Sequence, residues 1–210
     1  MAGTKDIILN TAERLFAEKG YHNTSTRELT GDAGVNLSAI NYHFGSKEKL
    51  FEAVITRRLV PINTNRMAIL ADIIATCVEG KSKPDVRELL NAFFGPVWTV
   101  MVEDENAKYF MMMMAGIMHD SDNTLRNKFF EVMKPVALAF FEQACNALPE
   151  LDEKMVLLRV QLSMGAFFLG AKTMFHTEND GLQNQHAPLL PDKDAYFNEL
   201  IEYITRGIKG

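Results

Sequence analysis

Apolar side chains recur every three or four residues along most of the sequence, and this spacing constrains the fold most strongly. Ile8, Leu15 and Phe16 fall on one stripe of a helix that Gly20 ends. No stretch shows a sustained alternation of apolar and polar residues, and the single Asp-Gly pair, Asp180-Gly181, lies in a polar segment. The sequence therefore predicts an all-α protein.

Ten helical segments follow from this periodicity and from the turn residues between them. They are 6–19, 26–33, 38–44, a segment that begins at Lys47, 62–79, 85–103, 106–119, 122–147, 152–177 and 193–208. Pro61, Pro96 and Pro135 lie within or between these segments, where they favour kinks. The polar residues 178–191 are typical of a surface loop.

The composition is that of a globular protein, with 47% hydrophobic and 23% charged residues. The sequence has no charge-free apolar run of about 18 residues and no signal-peptide core at its N-terminus, so we expect a cytoplasmic protein without a membrane partner. Residues 1–60 hold eight Lys or Arg and seven Asp or Glu, so their net charge is +1. Since the whole chain has a net charge of −5, residues 61–210 carry a net charge of −6. Such a chain can bind DNA only where its cations gather on one face.

Residues 24–51 describe two short helices joined by a tight turn, followed by the start of a longer helix. Gly34 can adopt the positive φ that such a turn requires, while Ile40 and Phe44 face inward on the second helix. Ser25 or Thr24 is the expected cap of the first helix and Ser46 that of the longer one. The second helix keeps a polar outer face that fits a major groove, formed by Ser38, Asn41, Tyr42 and His43.

From about Ile8 to Val54 the sequence resembles the DNA-binding head of the TetR family. The residues that carry the resemblance are Thr26, Ala33-Gly34-Val35, Tyr42-His43-Phe44 and Lys47-Glu48-Lys49-Leu50. The resemblance implies a three-helix, helix-turn-helix DNA-binding domain at 1–50. It also implies a larger helical domain for ligand sensing and dimerisation at 51–210.

The family implies a contact to DNA for each of several residues in this head. Phosphate contacts are implied for Thr26, Tyr42, His43 and Lys47, and base-edge contacts for Ser38, Ala39 and Asn41. Arg27 can reach either backbone or base. Asn41 departs from the aromatic residue common at its position, and it can contact adenine, a phosphate or a water. We expect the pair Arg57-Arg58 to form a solvated surface.

Residues 85–176 are rich in methionine and aromatic side chains, which can line a cavity for a small apolar effector or fill a helical core. The residues that we assign to the ligand pocket are Phe94, Trp98, Met101, Tyr109, Phe110, Met113, His119, Phe167 and Phe168. We expect no cofactor, no metal and no catalytic residue.

In the family the last two long helices form the homodimer interface, which assigns dimerisation to about 152–177 and 193–208. Small residues at Ser163, Ala166 and Gly170 allow close helix approach. Two heads about one helical turn apart can bind a palindromic operator, and a ligand that changes their separation lowers DNA affinity. Repression relieved by a ligand is the implied form of control.

Two other functions are alternatives to this regulator. An enzyme would use the aromatic cavity as its active site, but the sequence lacks a Gly-rich phosphate loop, a Gly-x-Ser-x-Gly turn and a His-Glu-x-x-His helix. A regulator that has lost DNA binding would act as a protein-interaction scaffold. A gel shift with DNA beside its own gene distinguishes this scaffold from a DNA-binding regulator.

Overall fold

The computed structural model describes residues 3–119, 123–175 and 191–210. Within these residues it contains helices and their connections and no strand, which confirms the all-α fold. The helices are α1 (Thr4–Lys19), α2 (Thr26–Asp32), α3 (Ser38–Phe44), α4 (Lys47–Gly80), α5 (Val86–Glu103), α6 (Ala107–His119), α7 (Asn123–Ala147), α8 (Glu153–Phe175) and α9 (Lys193–Lys209).

The helix bounds follow the prediction closely, and the main difference concerns Pro61. The sequence predicted a separate helix from residue 62, whereas α4 runs without interruption through Pro61. A proline removes one backbone N–H donor, but its fixed φ is helical, so bonded turns on both sides can retain it. The predicted loop at 178–191 lies outside the described residues, apart from Pro191.

The chain divides into two compact units. The first combines residues 1–61 with residues 105–134, and the second combines residues 62–104 with residues 135–210. The predicted domain boundary at residue 50 follows chain order and remains a prediction.

The first unit contains the helix-turn-helix, formed by α2, the turn at 33–37 and α3. Its core is built from side chains that the helical spacing placed inward, among them Leu15, Leu29 and Ile40, which are almost completely buried. The rings of Phe16 and Phe51 meet edge to face with centroids 5.8 Å apart. Burial of each such side chain contributes about 1.5–3 kcal/mol, so this core holds the short helices α2 and α3 in place.

In the second unit, α5 and α8 both pack against α9. Its core contains Phe94, Phe167 and Ile201, all buried. The phenyl rings of Phe94 and Phe167 stack with centroids 4.2 Å apart and an interplanar angle of 17°. This stacked pair joins α5 to α8 at the centre of the unit.

Candidate functional site

The helix α3 buries one face and exposes the other. Ile40 is 1% exposed and Phe44 is 9% exposed, whereas Tyr42, between them in sequence, is 85% exposed. Ser38 and Asn41 are also exposed, and Ala39 and His43 are half-buried. The His43 ring meets the Tyr42 ring edge to face, with centroids 5.0 Å apart. The base-reading and phosphate-binding residues predicted on α3 therefore share an accessible surface.

The turn before α3 is fixed by backbone geometry. Gly34 has a φ of 64°, as its predicted role required, and the Val35 N–H donates to the Thr30 carbonyl at 2.9 Å. The side-chain oxygen of Asn36 accepts from the Ser38 N–H at 3.2 Å. These contacts set the direction in which α3 leaves the turn.

Of the two residues predicted as the cap of α2, Ser25 is the cap, and the predicted cap of α4, Ser46, is also present. The Ser25 hydroxyl oxygen accepts from the Glu28 N–H, and the Ser46 hydroxyl oxygen accepts from the Lys49 N–H, each at 3.1 Å. Thr26 and Arg27, in the first turn of α2, are half-buried and exposed, respectively. Two of the predicted phosphate-facing segments, the first turns of α2 and α4, therefore begin at defined residues.

Lys47 lies against an aromatic ring that the sequence pattern did not single out. Its ammonium nitrogen is 4.2 Å from the centroid of the Tyr21 ring, and burial lowers the pKa of Lys47 below its ordinary value. The Tyr21 ring is fixed in turn by Phe16 and Phe51, with centroids 5.4 and 5.2 Å away. The position of Tyr21 directly after the helix-ending Gly20 is the signal that could have indicated it.

The first turns of α4 are also held by α7. Lys128 forms ion pairs with Glu48, at 2.9 Å, and with Glu52. The hydrogen bonds that Lys128 donates to Glu52 and, to a lesser extent, to Glu48 raise the pKa of Lys128, so it stays protonated. The helix that begins at Lys47 therefore has a second anchor within the same unit.

A buried carboxylate joins α1 to α4. Glu13 is almost completely buried and accepts hydrogen bonds from Arg57, at 2.5 Å, and from Arg58 Nε, at 2.7 Å. Arg57 also donates to the Asn10 side chain at 2.7 Å. The predicted solvated face at Arg57-Arg58 is therefore wrong, because both guanidinium groups neutralise a carboxylate that α1 buries 44 and 45 residues earlier in the chain.

Thr24 fixes the corner between α1 and α2. Its side chain is buried, and its hydroxyl group lies 2.8 Å from the Gly20 carbonyl oxygen and 3.3 Å from that of Leu15. Thr24 therefore has a structural role in this chain.

The predicted pocket residues fall into both units. Those in the second unit are buried, except for Phe168, which is 40% exposed; they are Phe94, Trp98, Met101, Phe167 and Phe168. In the first unit Phe110 and Met113 are buried, and Tyr109 is half-buried. The side chain of His119 lies outside the described part of the structure. The structure thus joins Phe94, Trp98, Phe167 and Phe168 in one ring cluster. The pocket assignment as a whole remains a prediction.

Trp98 connects this cluster to α9. Its indole ring stacks on Phe197 at a centroid distance of 5.1 Å, and the Phe175 and Phe167 rings approach edge to face at 5.1 and 6.3 Å. The buried indole N–H has no hydrogen-bond acceptor among the described residues. The cluster therefore packs tightly around one buried polar atom.

An apolar cavity opens in the second unit next to this cluster. It holds about 620 Å³ of empty space, including the part open to solvent. Its described lining is Val86, Leu89, Leu90, Phe93, Phe94, Ala137, Phe140, Phe141, Ala144, Leu148, Val160, Ser163, Met164 and Ile208. Phe94 is the one residue that this lining shares with the predicted pocket.

The outer side of α8 is apolar and exposed. Leu162 and Leu169, two helical turns apart, are 65% and 66% exposed, and Leu157 and Leu158 are exposed as well. By length and composition α8 is the one described helix that could cross a membrane, a test that the buried core helix of a globular protein also passes. We name this exposed side, with Leu157, Leu158, Leu162 and Leu169, the α8 apolar face.

Gly170, one residue of the predicted small-residue stripe, serves the packing of α8 on α9 within the chain. A Cβ atom at Gly170 would lie 3.0 Å from the Leu200 side chain, and the Tyr196 hydroxyl donates to the Gly170 carbonyl at 3.1 Å. Ser163, on the same stripe, is buried. Close helix approach at Gly170 is therefore intramolecular.

Curated relatives match the N-terminal part of the chain. The probable HTH-type transcriptional regulator YttP of Bacillus subtilis (strain 168) is 42% identical over 53 residues, which cover 25% of this chain and 26% of YttP. The HTH-type transcriptional repressor AcnR of Corynebacterium efficiens is 49% identical over 47 residues, or 22% of this chain and 25% of AcnR. The chain thus spans about a quarter of the length of these relatives.

Solved structures match the fold over nearly the whole chain. The fatty acid degradation regulator FadR of Bacillus halodurans has a TM-score of 0.67 at 17% identity, covering 98% of this chain and 96% of FadR. The FadR of Bacillus subtilis in complex with stearoyl-CoA has a TM-score of 0.67 at 18% identity, covering 96% and 98%. NalD, a secondary repressor of a multidrug efflux pump in Pseudomonas aeruginosa, has a TM-score of 0.62 at 21% identity, covering 97% and 96%.

Two family profiles match consecutive parts of the chain. The family described as "Bacterial regulatory proteins, tetR family" matches residues 8–54, which contain the helix-turn-helix. The family described as "Tetracyclin repressor-like, C-terminal domain" matches residues 91–207, more than half of the chain. Together with the fold, these matches show that the chain belongs to the TetR family of bacterial transcription regulators.

Proposed function

We propose that this protein is a ligand-responsive transcriptional repressor that binds a palindromic operator as a homodimer and leaves it when a small, largely apolar effector binds. The observation that carries this proposal is the division of α3 into a buried and an exposed face. Ile40 and Phe44 anchor the helix, so that Asn41 can enter a major groove while the exposed Tyr42 can meet the phosphate backbone.

The proposed DNA contacts divide into two classes. Tyr42, His43, Thr26 and Lys47 bind phosphate oxygens and fix the register of the head on the duplex. Backbone N–H groups at the start of α4 add to this, since the N-terminal end of a helix attracts phosphate. Base edges are read from α3, by Ser38, Ala39 and Asn41, and Arg27 reaches backbone or base.

The α8 apolar face supports the proposed homodimer through 152–177 and 193–208, of which residues 176 and 177 lie outside the described residues. Two apolar side chains as exposed as Leu162 and Leu169 on one face of a helix are typical of an interface. On α9 the exposed aromatic ring of Tyr203 has the same character. A twofold dimer places two α3 helices against two half-sites, about 34 Å apart along the duplex.

The cavity in the second unit supports an apolar effector. Ligand sites are concave, mostly apolar and equipped with few polar groups, which describes this cavity. The similar FadR structure of Bacillus subtilis contains stearoyl-CoA, which also carries a long apolar chain. A regulator of this kind acts where the chromosome lies, so we propose the cytoplasm as its location.

Selection of binding sites from random DNA tests the proposal. The wild-type protein should enrich a palindrome, and Asn41→Ala should relax the preferred base at one position of each half-site, at a cost of about 1–3 kcal/mol for that base. No enrichment at low salt would contradict DNA binding and favour the protein-interaction scaffold. An unchanged preference for Asn41→Ala would contradict the base contact alone.

A further inference from the structure

We propose that the cavity lined by α5, α7, α8 and the end of α9 is the effector site, and that it takes an uncharged apolar molecule whose one polar group donates a hydrogen bond to Ser163. Its role as an effector site rests on the proposed regulatory function, whereas its capacity to bind such a molecule does not.

The lining excludes a charged ligand group inside the cavity. Of the described lining residues, thirteen are apolar and one, Ser163, carries a hydroxyl group. An ionised group that entered would lose its hydration without gaining a counter-charge or enough hydrogen bonds. Four phenyl rings, from Phe93, Phe94, Phe140 and Phe141, give the walls a flat, polarizable surface suited to hydrocarbon.

Ser163 determines which polar group fits. Its hydroxyl donates to the Arg159 carbonyl at 2.7 Å, so its proton is already engaged within α8. The oxygen keeps an acceptor site, since a hydroxyl oxygen has two lone pairs. A ligand O–H or N–H can use this site, which favours alcohols and phenols over ethers of the same size.

Trp98, the only tryptophan of the chain, can report binding. Phe94 lines the cavity and stacks on Phe167, and the Phe167 ring contacts the Trp98 ring. A ligand that displaces Phe94 therefore changes the surroundings of the indole. Tryptophan emission thus provides a signal that is independent of DNA.

The test uses the full chain, titration calorimetry and Trp98 emission, with octanol and octanoate as matched probes at a pH where octanoate is ionised. Octanol should bind at least about tenfold more tightly than octanoate, because the two share a tail and differ in the charge of the head. Ser163→Ala should weaken octanol binding about fivefold. Thr173→Val is its control, since Thr173 makes the same bond to the carbonyl four residues before it on α8 and lies outside the lining.

Blocking variants test the location. Ala144→Leu and Ala137→Leu add volume to the cavity wall and should weaken octanol binding at least about tenfold, whereas Ala139→Leu on the same helix should leave it unchanged. Ala137 is exposed on one side, so its variant should fold even where Ala144→Leu does not, and thermal unfolding checks this. Equal binding of octanol and octanoate, or full binding by a folded Ala137→Leu variant, overturns the site.

A gel shift with selected operator DNA separates this inference from the proposed function. If octanol binds in the cavity and releases the DNA, both are supported. If octanol binds in the cavity and the DNA stays bound, the effector role of the cavity is overturned while DNA binding stands. If octanol binds but no DNA is recognised, the proposed function fails and the binding site remains. If DNA is recognised but octanol does not bind, the cavity site alone is overturned.

Discussion

Single side chains in the first unit connect the proposed DNA contacts to the core. Lys47 points its ammonium group at the Tyr21 ring, and that ring packs on Phe16 and Phe51. A cation held in this way loses less conformational freedom when it meets a phosphate than a fully solvated lysine does. Tyr21 is therefore a positioning residue for the contact that we assign to Lys47.

Lys47→Ala should weaken binding to every DNA sequence by a similar factor. Removal of one phosphate contact should also reduce the slope of log affinity against log salt concentration by about one. Filter binding over a series of salt concentrations measures both quantities. Lys83→Ala, an exposed lysine of the second unit, is the control and should change neither. A loss confined to some sequences would show that Lys47 contacts bases.

Glu13→Gln should lower the free energy of unfolding by about 2 kcal/mol, because charge-assisted hydrogen bonds from Arg57 and Arg58 to a buried carboxylate are lost. Glu18→Gln breaks an exposed ion pair with Arg14 on the same helix and should change the free energy of unfolding by less than about 1 kcal/mol. Urea unfolding at one protein concentration compares the two. Equal effects would refute the role of Glu13 as the link between α1 and α4.

Among the elements, the turn between α2 and α3 matters most for the proposed site. Its geometry depends on the positive φ of Gly34 and on the hydrogen bond from Val35 to Thr30. A Cβ atom at Gly34 would meet no other atom within 4 Å, so the strain of a substitution there comes from the backbone alone. A substitution at Gly34 therefore measures the cost of backbone strain without a side-chain clash.

Gly34→Ala should destabilise the protein by about 1–2 kcal/mol, since an alanine resists positive φ. Gly31→Ala, three residues earlier within α2, should be neutral or stabilise by up to about 1 kcal/mol, because alanine is the better helix former and the space beside Gly31 is open. Thermal unfolding measures the stability of the two variants against wild type, and operator affinity measures their DNA binding. A Gly34→Ala variant as stable as wild type would show that the turn can change its conformation without cost.

At the scale of the whole molecule, the function that we propose depends on a second copy of the chain. One seven-residue α3 makes few base contacts, so specificity requires two heads joined at a fixed distance. The net charge of −5 adds to this requirement, because an acidic protein gains little from nonspecific attraction to DNA. The α8 apolar face is the surface on which we expect this second copy to dock.

Leu162→Glu should convert the dimer to a monomer, because it places a charge in the centre of the α8 apolar face. Operator affinity should fall by about 100-fold or more as the two heads cease to bind together. Val78→Glu is the matched control, since Val78 is an equally exposed apolar residue on α4, at 72%. Sedimentation measures the assembly state, and a Leu162→Glu dimer would place the interface elsewhere.

The sequence alone was sufficient for several features that depend on neighbours within a few residues. The helical spacing, the caps at Ser25 and Ser46 and the glycine turn at Gly34 were all predicted and are present. Such signals act through bonds between residues two to four apart, so no knowledge of the fold is needed to identify them.

Features that join distant residues could be found only in the folded chain. Glu13 meets Arg57 and Arg58 because α1 packs on α4, and the sequence shows only an acidic residue and, far from it, a basic pair. The cavity shares only Phe94 with the predicted pocket, because its walls come from residues as far apart as Val86 and Ile208. Composition can indicate that a helical core is apolar and rich in methionine and aromatic side chains. The position of a cavity within that core, however, is decided by how the side chains pack.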